Sequence, residues 1–246
     1  YPCHASSLPI ALIPNCAATR HTHFILDGKG PAHFKIPDLN LWPQDTWAAQ
    51  KDAKRINLDS IDKTSIEEWK EGDLLLLSGK LLTARDGAHK KIADLLKKGE
   101  ALPVGVNLKN KFIYYVGPVD AVRNEVIGPA GPTTASRMDQ FMEMMLAELG
   151  IMGTIGKAER GESAIQTIKK YQSVYLSAVG GAAYLVSKAI TSSKVVAFPE
   201  LGMEAIYEFE VKDMPVMVSI DTHGKSVYSE APSRWKNKSI PINSLK

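Results

Sequence analysis

The feature that most constrains the fold is a sustained alternation of strand-like and helix-like runs, which starts near Thr64 and lasts to about residue 225. Its anchor is residues 73–78, where four leucines stand in a row. An apolar run that short, with no polar alternation, reads as a strand buried on both faces. Residues 80–84 continue as strand. Asp86 is placed to cap a helix to Lys98, with Ala88, Ile92, Leu95 and Leu96 on one face and Gly99 at the stop. Just upstream, Thr64-Ser65-Ile66-Glu67 has the spacing of a capping box and opens a short helix.

The alternation goes on through a strand at 112–117, a Gly/Pro loop at 128–132 and a helix to Leu149. Met138, Phe141, Met142, Met145 and Leu149 recur there at helical spacing, and such a stripe is core rather than a cofactor box. Strands follow at 151–155, 174–178 and 194–197, with helices at 162–171 and 182–190 between them. The end is β-rich, with strands at 205–211 and 216–221 and a turn at 222–225. Strands alternating with helices specify an α/β domain, here with an extra antiparallel layer.

The N-terminal stretch is different. It carries Pro2, Pro9, Pro14, Pro31, Pro37 and Pro43, four of the six histidines and both cysteines, and only short strand-like runs such as 24–26. It reads as an irregular tail and linker, with a boundary near residue 50. The chain opens mid-pattern at Tyr1-Pro2-Cys3-His4, as a fragment or a processed subunit would.

Composition excludes some functions. Thirty basic against 27 acidic residues give a net charge of +3, too balanced for a nucleic-acid surface. No window is apolar and long enough to span a bilayer. Two cysteines in 246 residues suit a reducing compartment better than a disulfide scaffold.

Three junctions share a design in which a basic residue follows a strand end: Arg85, Arg137 and Lys157. Ligands of open α/β sheets bind near such ends. With Thr133 or Thr134 as cap, Arg137 falls in the first turn of its helix, where a cation opposes the macrodipole. A bound anion would reverse that term, and the helix start with its preceding loop offers backbone N–H groups. Residues 133–137 therefore read as an anion clamp, or else as a surface helix whose arginine pairs with Asp139 or solvent. Arg85 and Lys157 each have a plain reading too, as a salt-bridged surface arginine and as a loop lysine beside Glu159. Taken together, cations at comparable junctions suit a dicarboxylate, since arginine forks match carboxylate oxygens.

Other chemistries fit less well. Residues 150–158 have P-loop composition, but the spacing is one residue too long and Ala158 replaces the metal-binding hydroxyl. Cys3, His4, Cys16, His21 and His23 are metal-ligand types without a paired C-x-x-C. Two cysteines alone do not hold a four-iron cluster.

The run 128–139, ending Gly131-Pro132-Thr133-Thr134-Ala135-Ser136-Arg137-Met138-Asp139, resembles the signature of the C-terminal (β) portion of class I, iron–sulfur fumarate hydratases and the related tartrate dehydratases. Further matches are Thr83-Ala84-Arg85-Asp86 with Ala88-His89, Tyr114-Tyr115-Val116-Gly117-Pro118, Gly156-Lys157 and Pro199-Glu200-Leu201-Gly202-Met203-Glu204-Ala205. The opening through Asn15-Cys16 is similar to the end of the family's N-terminal domain.

The resemblance implies a swivelling β/β/α domain with a mixed sheet over 51–246, preceded over 1–50 by the end of a cluster-binding domain plus linker. It implies reversible hydration of fumarate to L-malate at a 4Fe-4S cluster, with Cys16 as one ligand and the other cysteines upstream. Arg85 and Arg137 would clamp substrate carboxylates, His4 and Lys157 would complete the substrate shell, and Thr133 would stand at the place of the family's proposed base. It further implies a cytoplasmic homodimer when complete, and an isolated chain without activity. The alternatives are an L-tartrate dehydratase or related hydro-lyase β portion, and a non-catalytic anion- or metal-binding module.

Overall fold

In the computed structural model, residues 23–25, 28, 33–35, 52–121, 124–179 and 183–236 are described. The chain divides into two units, Tyr1–Ala48 and Ala49–Lys246. In the first, β1 (His23–Ile25) and β2 (His33–Lys35) pair antiparallel.

The second unit is a mixed α/β structure. In chain order it contains β3 (Lys54–Asn57), α1 (Lys63–Glu67), β4 (Leu74–Thr83), α2 (Asp86–Lys97), β5 (Phe112–Tyr114), a 3₁₀ segment (Ala135–Phe141) and α3 (Met142–Ala147). Then come β6 (Gly153–Gly156), α4 (Glu162–Lys170), β7 (Val174–Ser177), α5 (Ala183–Ser187), β8 (Ile190–Ala197), a 3₁₀ segment (Pro199–Glu204), β9 (Ile206–Ile220) and α6 (Val227–Lys236).

Strands β3 to β7 run parallel in sequence order. The 15-residue β9 runs antiparallel to β4, β7 and β8. Because β9 bonds both β4 and β7, strands β4-β5-β6-β7-β9 close into a ring, with β3 and β8 as flaps. Strand alternation then creates two cores. Leu75, Leu77, Phe112, Tyr114, Val174, Leu176 and Phe209 gather on one face. Leu82, Ile113, Tyr115, Tyr175 and Ile206 face the other way and meet Ala88, Ile92, Met138, Met142, Met145, Ala164 and Ile168 from the helices. The methionine stripe is thus helix-to-sheet packing.

Several expected boundaries shift for physical reasons. The two runs expected at 73–78 and 80–84 are one strand, interrupted by a bulge at Gly79. Gly79 has φ +105°, and a Cβ there would stand 2.7 Å from Asp59 Oδ2, so this position requires glycine. The runs at 205–211 and 216–221 also merge into β9. Asp213, at φ +49°, donates its N–H to Ser78 Oγ at 3.0 Å, which carries the chain across the same irregularity. The cap of α1 is Asp62, not Thr64, because the Asp62 carboxylate accepts from both the N–H and the hydroxyl of Ser65. Helix α6 was not expected at all.

Candidate active site

The carboxyl ends of the parallel strands β4, β5 and β6 lie side by side, and three signature segments leave from them. After β5 the chain returns to bridge Val116 to Pro132, and Thr133 N–H donates to the Tyr115 carbonyl at 2.7 Å. Thr134 then bridges Lys157 in parallel, with Lys157 N–H on the Thr133 carbonyl and Ala135 N–H on the Lys157 carbonyl, both at 3.0 Å. Residues 133–135 therefore extend the sheet between the ends of β5 and β6. Gly156 makes room for this: a Cβ there would stand 3.0 Å from Ala135 Cβ and 3.1 Å from the Tyr115 ring.

This geometry corrects the expected helix cap. Thr134 occupies the cap position but makes no side-chain cap bond, and the first seven helical residues are 3₁₀. The N–H groups of Thr133 and Ala135 are consumed by the sheet, so they are not open to an anion.

Arg137 sits on the 3₁₀ segment and places Nη2 3.0 Å from Asp86 Oδ2. Arg85, at the end of β4, has Nε 3.5 Å from the same oxygen and 3.1 Å from Glu204 Oε1. Asp86 thus stands between the two arginines, which meet at one place. Arg85 Nε and Asp86 Oδ2 are buried, and these are ion-pair contacts without hydrogen-bond alignment. Asp86 is not the side-chain cap of α2. The Gly87 N–H at that helix start donates instead to Glu204 Oε2 at 2.6 Å. Gly117 lies against Arg85, where a Cβ would meet Nη1 at 2.6 Å.

The segment that carries Arg137 also joins a buried polar cluster that sequence reasoning missed. Arg160 has a fully buried side chain, with Nε 2.6 Å from Asp139 Oδ1 and Nη1 3.2 Å from Thr154 Oγ1. Its guanidinium carbon is 5.5 Å and 5.1 Å from the ring centroids of Tyr115 and Tyr175. Asp139 Oδ2 accepts from Gly161 N–H at 2.7 Å, so one carboxylate ties the Arg137 segment to the turn after Lys157. Asp139 is therefore the partner of Arg160, not of Arg137. Burial opposes the charge of Arg160, yet Tyr115, Asp139 and Tyr175 hold its pKa above the ordinary arginine value.

His89 is buried between Tyr115 and Phe141, with Nδ1 2.9 Å from the Arg85 carbonyl oxygen. Burial brings its pKa down to about 4, and its Nε2 meets no partner. The Tyr114 and Tyr175 hydroxyls, both pushed up by burial, donate to the carbonyls of Ala130 and Ala158 at 2.7 Å. Those bonds pin the two loops that leave β5 and β6.

Of the residues singled out in the sequence, the structure brings Arg85 and Arg137 together around Asp86. It joins Thr133 to Lys157 through the backbone, with the Lys157 side chain exposed. His4 and Cys16 lie outside the described residues. A depression of about 300 Å³ lies elsewhere, at the β4 bulge, lined by Asn57, Asp59, Ser78 and Glu210 among others. Among the described residues, no grouping of three or more His, Cys, Asp or Glu side chains could hold a metal ion. The described residues alone therefore do not fit an iron–sulfur cluster, since both cysteines fall outside them. No helix among them is long and apolar enough to cross a membrane.

Glu204 and Arg160 left no spacing signal. Glu204 is 117 residues from Gly87, and Arg160 is 21 from Asp139. The run 199–205 was visible as a motif, but not its destination.

The family profile described as fumarase C-terminus matches residues 28–231. Fumarate hydratase 2 of Leishmania major is 34% identical over 241 residues, covering 93% of this chain and 41% of that protein. The aerobic class I fumarate hydratase of Escherichia coli K12 is 31% identical over 236 residues, 93% of this chain and 43% of that protein. A putative L(+)-tartrate dehydratase subunit beta of Methanocaldococcus jannaschii is 37% identical over 185 residues, 73% of this chain and 94% of that protein. The chain thus spans about two-fifths of the length of the fumarate hydratases it matches. With the profile covering most of its length and the matched motifs gathered at one edge of the sheet, this chain belongs to the fumarase C-terminal family.

Proposed function

We propose that this chain supplies the carboxylate-binding side of a class I fumarate hydratase, a lyase that reversibly hydrates fumarate to L-malate. The observation that carries the reading is the convergence of Arg85 and Arg137 on the single carboxylate of Asp86 at the strand ends. A substrate carboxylate has the same charge and shape as that of Asp86, so it would compete for the same guanidinium forks.

The roles are those that the family resemblance implies. Arg85 and Arg137 bind and orient the two substrate carboxylates, with Lys157 and His4 completing the shell. Thr133 would take the place of the family's proposed base, which removes the proton from the malate carbon next to the one bearing hydroxyl. A free threonine hydroxyl is a weak base at neutral pH. It would serve only if cations such as Arg137 and Lys157 stabilised its alkoxide. In this reading residues 1–50 end a cluster-binding domain, residues 51–246 form the swivelling domain, and Cys16 is one thiolate of a 4Fe-4S cluster. That group, when bound, supplies a Lewis-acidic iron. The other ligands belong to a part of the enzyme that this chain does not span, so the chain alone is inactive. The complete enzyme is a homodimer, and two cysteines are consistent with the cytoplasm.

A second reading, the β subunit of an L-tartrate dehydratase, is supported by the coverage of 94% of the Methanocaldococcus protein. The test is reconstitution with the remaining domain under anaerobic conditions with iron and sulfide, assayed with fumarate, malate and tartrate. Arg137→Ala should lower kcat/KM by at least about a hundredfold, as expected for losing roughly 3 kcal/mol of charge-assisted binding. Near-normal turnover in that variant contradicts the clamp. Absence of activity in the reconstituted protein would leave a non-catalytic anion-binding module.

A further inference from the structure

The run 199–205 is a family motif to which neither the clamp nor the proposed base assigns a role. It folds as a 3₁₀ segment whose preceding residue, Phe198, has φ +56° and ψ +48°. An aromatic residue in the left-handed region is strained, and such strain persists only where the surroundings over-determine it. Here they do. Phe198 is 5% exposed, the Lys91 ammonium lies 4.9 Å from its ring centroid, and Lys91 also pairs with Glu200. Leu201 packs on the helix-side core. Lys91 belongs to α2, so these contacts fasten the segment to the first half of that helix.

The last residue of the segment is Glu204, and its two oxygens are divided. Oε2 accepts the Gly87 N–H at 2.6 Å, filling the helix start that no side chain of its own caps. Oε1 stands 3.1 Å from Arg85 Nε. Gly117 bounds the guanidinium at Nη1. Arg85 is thereby held at its Nε edge and bounded at Nη1, and the Nη1–Nη2 pair stays uncommitted to Glu204.

We propose that Glu204 is the positioning residue for Arg85: it locks the Nε edge of the guanidinium to the start of α2 and so presents the other edge to a dicarboxylate, without touching the substrate itself. This rests on the clamp reading above. It assigns the 199–205 motif a purpose, which is to deliver one carboxylate to the arginine from a segment far along the chain.

The experiment uses the complete, cluster-loaded enzyme. Glu204→Gln keeps the size and one oxygen for the Gly87 N–H but removes the charge facing Arg85. It should raise KM for fumarate about tenfold or more, change kcat less than threefold and leave Tm nearly unchanged. Glu204→Ala should raise KM further and lower Tm as well. An unchanged KM in Glu204→Gln overturns the proposal, as does a fall in Tm as its sole effect. A crystal structure of Glu204→Gln gives a readout independent of turnover. Arg85 should leave its place against Gly117, and Arg85 unmoved refutes the positioning role. Should the wild-type enzyme hydrate neither fumarate nor its analogues, the proposed function falls, and that structure still decides the role of Glu204.

Discussion

Replacing His89 by phenylalanine isolates one buried titration whose size follows from the structure. In the fold the imidazole is enclosed by Tyr115 and Phe141, its Nδ1 lies at the Arg85 carbonyl, and Nε2 has no partner. Burial lowers its pKa from 6.5 to about 4. The unfolded chain therefore binds a proton below about pH 6.5 that the folded protein refuses until about pH 4. In that window the unfolded state holds more protons, so stability falls as pH falls. Each pKa unit is worth 1.36 kcal/mol, which puts the full loss at about 3 kcal/mol. The variant keeps a ring between Tyr115 and Phe141 and has nothing to titrate. Carboxylates with lowered pKa, such as Asp73 beside Lys54, lose stabilisation in acid in both proteins and cancel from the difference. Urea unfolding at pH 7.5, 6, 5 and 4 should show the variant gaining about 3 kcal/mol on the wild type between the ends of the series. Any packing offset from the larger ring shifts both ends equally. Parallel pH curves would refute the reasoning.

Arg160→Met should destabilise the fold by roughly 3 kcal/mol, because it strips the part-buried Asp139 of its cation partner. In denaturant unfolding, adding Asp139→Leu should recover part of that loss, short of the cost of the orphaned Gly161 N–H. Gly117→Ala puts a methyl group where the Arg85 guanidinium lies, so in the reconstituted enzyme KM should rise while far-UV circular dichroism and Tm change little. Unchanged KM would mean that Arg85 is not held against Gly117.

Much of the fold was legible because its signals are local. The leucine run marked β4, the helical spacing of Ala88 and Ile92 marked α2, and the methionine stripe marked the packing of α3 on the sheet. What misled was also local. Ser78-Gly79 and the stretch at Asp213 look like strand breaks, and they are instead the two sides of one register shift inside longer strands. A break and a bulge have the same composition. Only the partner strand distinguishes them, and β4 and β9 carry their irregularities opposite one another. Closure of the ring by β9 is a long-range pairing for the same reason. The cap of α1 was misplaced by two residues, because Thr64 and Asp62 both offer a suitable oxygen and the carboxylate wins.

The candidate site divides along the same line. Arg85, Arg137 and Lys157 stood out as candidates because a cation just past a strand end is an oddity of neighbouring residues, and the structure gathers the two arginines at Asp86. Their partners did not stand out, because the fold brings Asp86 to Arg137, Glu204 to Arg85 and Arg160 to Asp139 from distant parts of the chain. This bears on how such a site would select its ligand. Two guanidinium groups facing Asp86 and Glu204 are close to neutral as a cluster, so the net charge of +3 says little about affinity. Attraction by a bulk positive field would fade within a Debye length of about 8 Å at physiological salt. A fixed fork selects by direction instead, and it favours a carboxylate that fits the freed edges over one that is merely negative. On that argument the residues that hold the forks still matter to substrate choice as much as the forks themselves.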